Sequence, residues 1–187
     1  RQEQQSGMFY EGSLRFGRMS TDYEADLPVG GITRRASYDT DANYIGAHLG
    51  VGQRSVAESG TERELYLRYF YTHQNGGSER LTSGDLYDFD DVDSHRLRVG
   101  ARYTKQNGTG GSFYTGLAYE YEFDGDARAS YAGYSTPTPT LKGGTGILEL
   151  GYRFARPGSN VSYGLNLMGM TGKRRGITGG LQVNWAL

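Results

Sequence analysis

Three glutamates are the first residues in this chain to weigh for chemistry. Glu120 and Glu122 stand two positions apart, and Glu149 lies in a second stretch with the same polar–apolar alternation. Residues i and i+2 of a strand share a face. A carboxylate pair held in a low-dielectric setting can carry a raised pKa, suited to general acid work. Arg96, Arg98, Arg102 and Arg153 fall at comparable parity on neighbouring segments. A cross-strand ladder of opposite charges accounts for all seven residues without catalysis, and that is the reading we carry forward.

Other constellations are less specific. The acidic stretch DLYDFDDVD offers Asp88, Asp90, Asp91 and Asp93 as oxygen ligands for calcium, but lacks the spacing and turn glycine of a calcium loop. A solvated loop explains it better. His73 and His95 flank that stretch and could face each other across it, yet two histidines without a third ligand make a poor zinc site. His48 reads as a hydrogen-bonded packing residue. The turn TGKRR lacks the upstream glycines and the following helix of a phosphate loop; Lys173, Arg174 and Arg175 suit anionic lipopolysaccharide headgroups better. No Ser-His-Asp arrangement stands out, as a lipid-modifying enzyme would need. Zero cysteines exclude a disulfide scaffold, a Cys-ligated zinc site and thiol catalysis. No cofactor is implied, and the chain is read as non-enzymatic.

The elements that position these residues are strands. Eight segments alternate with period two, near 8–19, 42–55, 62–73, 95–105, 112–124, 143–155, 159–172 and the terminal GGLQVNWAL. In the fifth, Phe113, Leu117, Tyr119, Tyr121 and Phe123 oppose Glu120 and Glu122; in the fourth, Leu97, Val99, Ala101 and Tyr103 oppose Arg96, Arg98 and Arg102. The links near 56–61, 106–111 and 156–158 are short, whereas those near 20–41, 74–94 and 125–142 are long and polar. The link at 172–176 is tight.

With 30 Gly, 16 Tyr and 4 Pro, composition favours strands and turns, and a net charge of −1 gives no basic stripe for nucleic acid. The opening RQEQQSG has no apolar core, so no signal peptide is read there, and no run of about 18 apolar residues marks a transmembrane helix. A mean hydropathy of −0.65 suits a soluble protein. A soluble sandwich, however, tends to use shorter strands than the ten or more residues found here. In a membrane barrel the charged face lines the lumen, the apolar face meets lipid, and aromatic residues near strand ends form girdles. We therefore expect residues 1–187 to form one all-β, antiparallel up-and-down transmembrane β-barrel domain with about eight strands, residues 1–7 being a polar N-terminal segment. Short turns and both termini belong on the periplasmic side and long loops outside.

Six stretches, GMFYEGSLRFGRM, YDTDANYIGAHLGVGQ, VDSHRLRVGARY, YTGLAYEYEFDGDARA, LKGGTGILELGYRF and MTGKRRGITGGLQVNWAL, follow one another in an order that resembles the C-terminal translocator β-barrel of bacterial autotransporters, the type V secretion systems. The resemblance covers nearly the whole chain. It implies a Gram-negative outer-membrane barrel that anchors and helps export an N-terminal passenger. It also implies that the barrel-assembly machinery recognises the terminal strand, through Leu181, Val183, Trp185 and Leu187. The family usually ends on Phe where Leu187 stands. It also has twelve strands around a passenger-derived helix, and the eight read here correspond to the last two-thirds. Some relatives cut their passenger with lumen carboxylates, for which the Arg–Glu ladder gives a structural alternative. The chain is thus either part of a larger barrel or a stand-alone small barrel acting as anchor, adhesin or structural envelope protein. In the latter case side chains fill the interior and no polypeptide passes.

The face assignment can be tested with neighbouring residues. Leu165→Arg, on the lipid face near mid-strand, should cost about 2–4 kcal/mol if it sits at the bilayer midplane. Asn166→Arg, on the lumen face, should cost less. Equal losses in denaturant midpoint would contradict the assignment.

Overall fold

Period-two alternation folds here as long antiparallel strands, with no helix among the described residues. The computed structural model describes residues 6–107, 110–155 and 158–185. Twelve strands run in chain order: β1 (Gly7–Val29), β2 (Ile32–Val56), β3 (Thr61–Gln74), β4 (Gly77–Arg80), β5 (Leu86–Phe89), β6 (Val92–Asn107), β7 (Gly111–Glu122), β8 (Ala129–Tyr131), β9 (Tyr134–Ser135), β10 (Gly143–Ala155), β11 (Val161–Gly172) and β12 (Gly176–Trp185). Eight of them form the main sheet in the order β1-β2-β3-β6-β7-β10-β11-β12, and each matches a segment read from the sequence. Gly7 already opens β1, while residues 1–5 of the polar N-terminal segment and Leu187 of the terminal strand lie outside the described residues.

The sheet is a half-barrel. Strands β1 and β12 do not pair with each other among the described residues, so the eight strands do not close on themselves. Its faces are inverted relative to a water-soluble protein. Leu117 is 67% exposed, and Leu49, Leu65, Val99, Leu148 and Leu165 are also exposed, whereas Glu120 three residues from Leu117 is 3% exposed. Only Tyr66 and Ile147 are buried apolar residues among those described. The polar face is concave: Arg68 on β3 reaches Glu11 on β1 across β2, and Arg102 on β6 reaches Glu149 on β10 across β7. In a flat sheet such strands stand roughly 9–10 Å apart.

Glycine makes room for that curvature. One register row on the concave face reads Phe9, Gly52, Tyr66, Gly100. A Cβ on Gly100 would lie 2.5 Å from the Tyr66 ring and 2.9 Å from the Ala118 methyl group, so the ring lies flat over bare backbone. Tyr114 covers Gly151 in the same way. An aromatic ring over a cross-strand glycine is a known device for curved sheets.

The three long links are not loops. Residues 20–41 extend β1 and β2 into one uninterrupted hairpin, paired down to Val29 and Ile32 and turned by Gly30 and Gly31, at φ +59° and +84°. Two residues with positive φ make the tight turn that matches strand twist. At roughly 3.3 Å per residue, β1 is about 75 Å long and overshoots any bilayer. The links at 74–94 and 125–142 supply β4, β5, β8 and β9, which form a second sheet in that order. Strands β5 and β8 come from different links, so their pairing ties the two together, with Tyr87 stacked on Tyr131 at 5.0 Å. This cap also meets the hairpin, where Thr82 N donates to Ser37 O at 3.1 Å and Thr40 Oγ1 donates to Glu79 at 2.7 Å.

Gly100→Val should drive Tyr66 off its resting place and cost about 1–3 kcal/mol, as overpacking does. Gly169→Val, where nothing lies within 4 Å of the added Cβ, should cost little. Guanidinium midpoints of the detergent-folded full-length protein decide between them.

Candidate functional site

The concave wall brings together most of the charges singled out in the sequence. Strand β7 projects Glu120 and Glu122 onto it, flanked by Arg96 and Arg98 from β6 on one side. Glu120 accepts from Arg98 Nε at 2.9 Å and from Arg174 Nη1 at 3.2 Å, with Arg96 at 3.8 Å. Glu122 accepts from His95 N at 2.8 Å and Ser94 Oγ at 2.6 Å, and pairs with Arg174 at 3.5 Å. Glu149 takes Arg102 at 2.6 Å and stands 3.9 Å from Arg98. Arg153 meets no carboxylate among the described residues. Its guanidinium lies over the Tyr114 ring at 5.6 Å, and that of Arg102 does so at 5.0 Å.

This arrangement is built for holding charge. Glu120, Glu122 and Glu149 each accept from guanidinium or backbone donors. General acid work needs a carboxyl free to donate. Charge-assisted contacts of this geometry rigidify a polar wall instead.

Several participants were missed in the sequence. Glu11 takes Arg68 and stands 3.4 Å from His48; Glu64 takes Arg54 at 3.2 Å. Parity alone puts Glu11, Glu64 and Arg68 on the polar face, so that signal was present. Arg174 sits in a turn, where no parity exists. It is also a correction: it turns inward to neutralise Glu120 and Glu122, two carboxylates 3% exposed, and so is not free to meet lipopolysaccharide. Arg175 Nε donates to Gly172 O.

The remaining candidates are scattered. Asp88 takes Ser78 within the cap, Asp91 takes Gly76 N at 2.8 Å, and Asp93 on β6 takes His73 at 3.0 Å and Tyr71 at 3.0 Å on β3, so these carboxylates pin separate places instead of converging. The Asp90 backbone amide donates to Arg128 O. No group of three potential metal ligands is found among the described residues. His73 and His95 do not pair: His95 Nδ1 meets the Tyr69 hydroxyl at 2.6 Å. His48 stacks on Phe70 at 4.9 Å with Ser13 Oγ 3.5 Å away, a packing residue. In the cap, hydroxyls of Tyr131 and Ser83 hold the Asp85 carboxyl below its ordinary value. Leu181, Val183 and Trp185 are exposed on the apolar face of β12.

Glu120→Ala should cost on the order of 3 kcal/mol, since it removes the closest carboxylate from Arg98 and Arg174 and leaves the cations in excess on the wall. Arg153→Gln should cost under about 1 kcal/mol. Equal shifts in denaturation midpoint would show that the network is not what holds the wall.

No curated protein matches this chain. A half-barrel with an apolar convex face and a charged concave face is the form expected of strands from an outer-membrane barrel, and the family described as autotransporter beta-domain matches residues 2–167. The chain belongs to the autotransporter β-domain family, whose members are outer-membrane translocator barrels of type V secretion.

Proposed function

We propose that this chain supplies eight strands of a translocator barrel that anchors and helps export an N-terminal passenger, without catalysis of its own. The observation that carries the reading is the open half-barrel itself. Among the described residues its edges, β1 and β12, are unpaired, and its convex face is apolar. In hydrocarbon such edges must find strand partners. Further strands would close the sheet around a lumen lined by the Arg–Glu wall, wider than eight strands alone could enclose. The same open edges speak against a stand-alone eight-stranded barrel.

Orientation follows from size. The β1–β2 hairpin tip and the cap stand together at the long-link end, which we assign to the cell exterior beside lipopolysaccharide; the short turns and the C-terminal end of β12 face the periplasm. The exposed apolar row Leu181, Val183 and Trp185, with Leu187 next at the same parity in the sequence, is the segment we assign to the barrel-assembly machinery.

Gel migration with and without boiling tests this. The full-length protein, folded in detergent, should shift on heating, whereas the isolated 187-residue chain should not. Protease added to intact cells should reach the passenger of the full-length protein and lose it when residues 176–187 are deleted. A heat-dependent shift of the isolated chain, or a passenger still at the surface after that deletion, would sink the reading.

A further inference from the structure

The convex face carries few charges, and they are not distributed evenly. At the long-link end Arg18 is paired with Asp41 and His73 with Asp93. At the short-turn end stand Arg63 and Lys105, both exposed and both basic. In the β3–β6 register Arg63 lies opposite Tyr103 and Thr61 opposite Lys105, so the two cations flank the Tyr103 ring as diagonal neighbours. Among the described residues neither forms an ion pair, and no carboxylate shares their face at that end. The nearby acids Glu62 and Glu64 belong to the concave face, where they meet Gln106 and Arg54.

Beside these cations the apolar face has a trough. Two residues further from the short turns, roughly 7 Å along the strands, the register row reads Leu65, Ala101, Leu117. The Ala101 methyl group leaves a low floor between two exposed leucines. An open groove of about 600 Å³ results, whose lining includes Arg63, Leu65, Ala101, Tyr103 and Leu117; Glu64 and Arg102, which also border it, are already paired with Arg54 and Glu149.

We propose that Arg63, Lys105 and the groove over Ala101 bind one anionic phospholipid of the leaflet at the short-turn end, the two cations holding its headgroup phosphate and the groove an acyl chain. This rests on the membrane reading above. Charge complementarity selects the occupant: unpaired cations on a lipid-facing surface near the interface attract anionic headgroups. The order of features selects its pose, since cations lie toward the rim and the trough runs toward the bilayer centre. Tyr103 between the cations suits the interface, where amphipathic rings collect.

Native mass spectrometry of the full-length protein, extracted from outer membranes, stripped of lipid and titrated with phosphatidylglycerol or phosphatidylcholine, tests the site. Wild type should retain one phosphatidylglycerol at about fivefold or higher occupancy over phosphatidylcholine. Arg63→Gln with Lys105→Gln should abolish that preference, Arg63→Lys should keep it, and Ala101→Leu, which fills the groove, should lower binding of both lipids. Should the double variant not fold, as judged by its heat-dependent gel shift, Lys105→Gln alone should still reduce the preference. An unchanged preference in the charge variants, or unchanged binding in Ala101→Leu, overturns the proposal. Absence of the wild-type protein from outer membranes would defeat the membrane reading and this site with it. A protein present there with no lipid preference defeats the site alone.

Discussion

A strand in hydrocarbon can give its backbone N–H and C=O groups only to a neighbouring strand. The eight long strands of this chain meet that demand in a continuous antiparallel ladder from β1 to β12. Once the backbone is satisfied within the sheet, the side chains are free to divide by face. Leucine, valine and tyrosine stand outward, and arginine and glutamate stand inward. The low mean hydropathy is then no obstacle to membrane insertion, because it averages two faces that never share an environment. The demand is also why the two unpaired edges weigh more in the functional reading than any single side chain.

Curvature decides what the inward charges can do. Bare backbone at Gly52, Gly100 and Gly151 lets Phe9, Tyr66 and Tyr114 lie flat, which brings alternate strands within reach of one another. Arg68 and Glu11, or Arg102 and Glu149, then pair across an intervening strand. A flatter sheet would leave those groups to water, where exposed pairs contribute little. Gathered on the half-buried wall they share partners, as Arg174 does between Glu120 and Glu122, so losing one member unbalances the others. The glycines and the ion pairs are therefore one device, with curvature as the common term.

This division explains what could be read from the sequence. All eight membrane-length strands were legible because lipid on one side and a charged wall on the other impose period-two alternation, as in Leu117, Tyr119 and Tyr121 against Glu120 and Glu122. The hairpin extension was not legible. Beyond the bilayer Asp22, Glu24 and Asp39 need no apolar counterface, and the alternation that identifies strands disappears although pairing continues to Val29 and Ile32. The local turn signal, two adjacent glycines, was there but read as part of a polar link. Strands β4, β5, β8 and β9 are two to four residues long, and their partners lie in separate links, so nothing local announces them. Arg174 escaped for a related reason, since a turn residue is assigned to a face only by the fold. Parity assigns the charged residues to a face, yet which carboxylate an arginine meets, or whether it meets one, as Arg153 does not among the described residues, depends on register and curvature.

The two ends of the half-barrel consequently obey different rules. At the long-link end, cross-links accumulate: β5 pairs with β8, β4 meets the β1–β2 hairpin, and Arg174 ties the last turn to Glu120 and Glu122 on β7. Each joins chain segments that the main sheet holds apart, so a displacement of one link must be shared by the others. At the short-turn end the strands are joined by tight local turns, such as the one where Gly60 N donates to Ala57 O at 2.9 Å. One of these turns is also tied onward, since Gly110 O in the β6–β7 turn accepts from Ala155 N on β10 at 2.9 Å. The long-link rim is thus cross-linked between separate links, whereas the short-turn rim is held by compact turns and by the main sheet itself. A wall built this way is braced most heavily at the end where its links are longest, because there the links hold one another as well as their own strands.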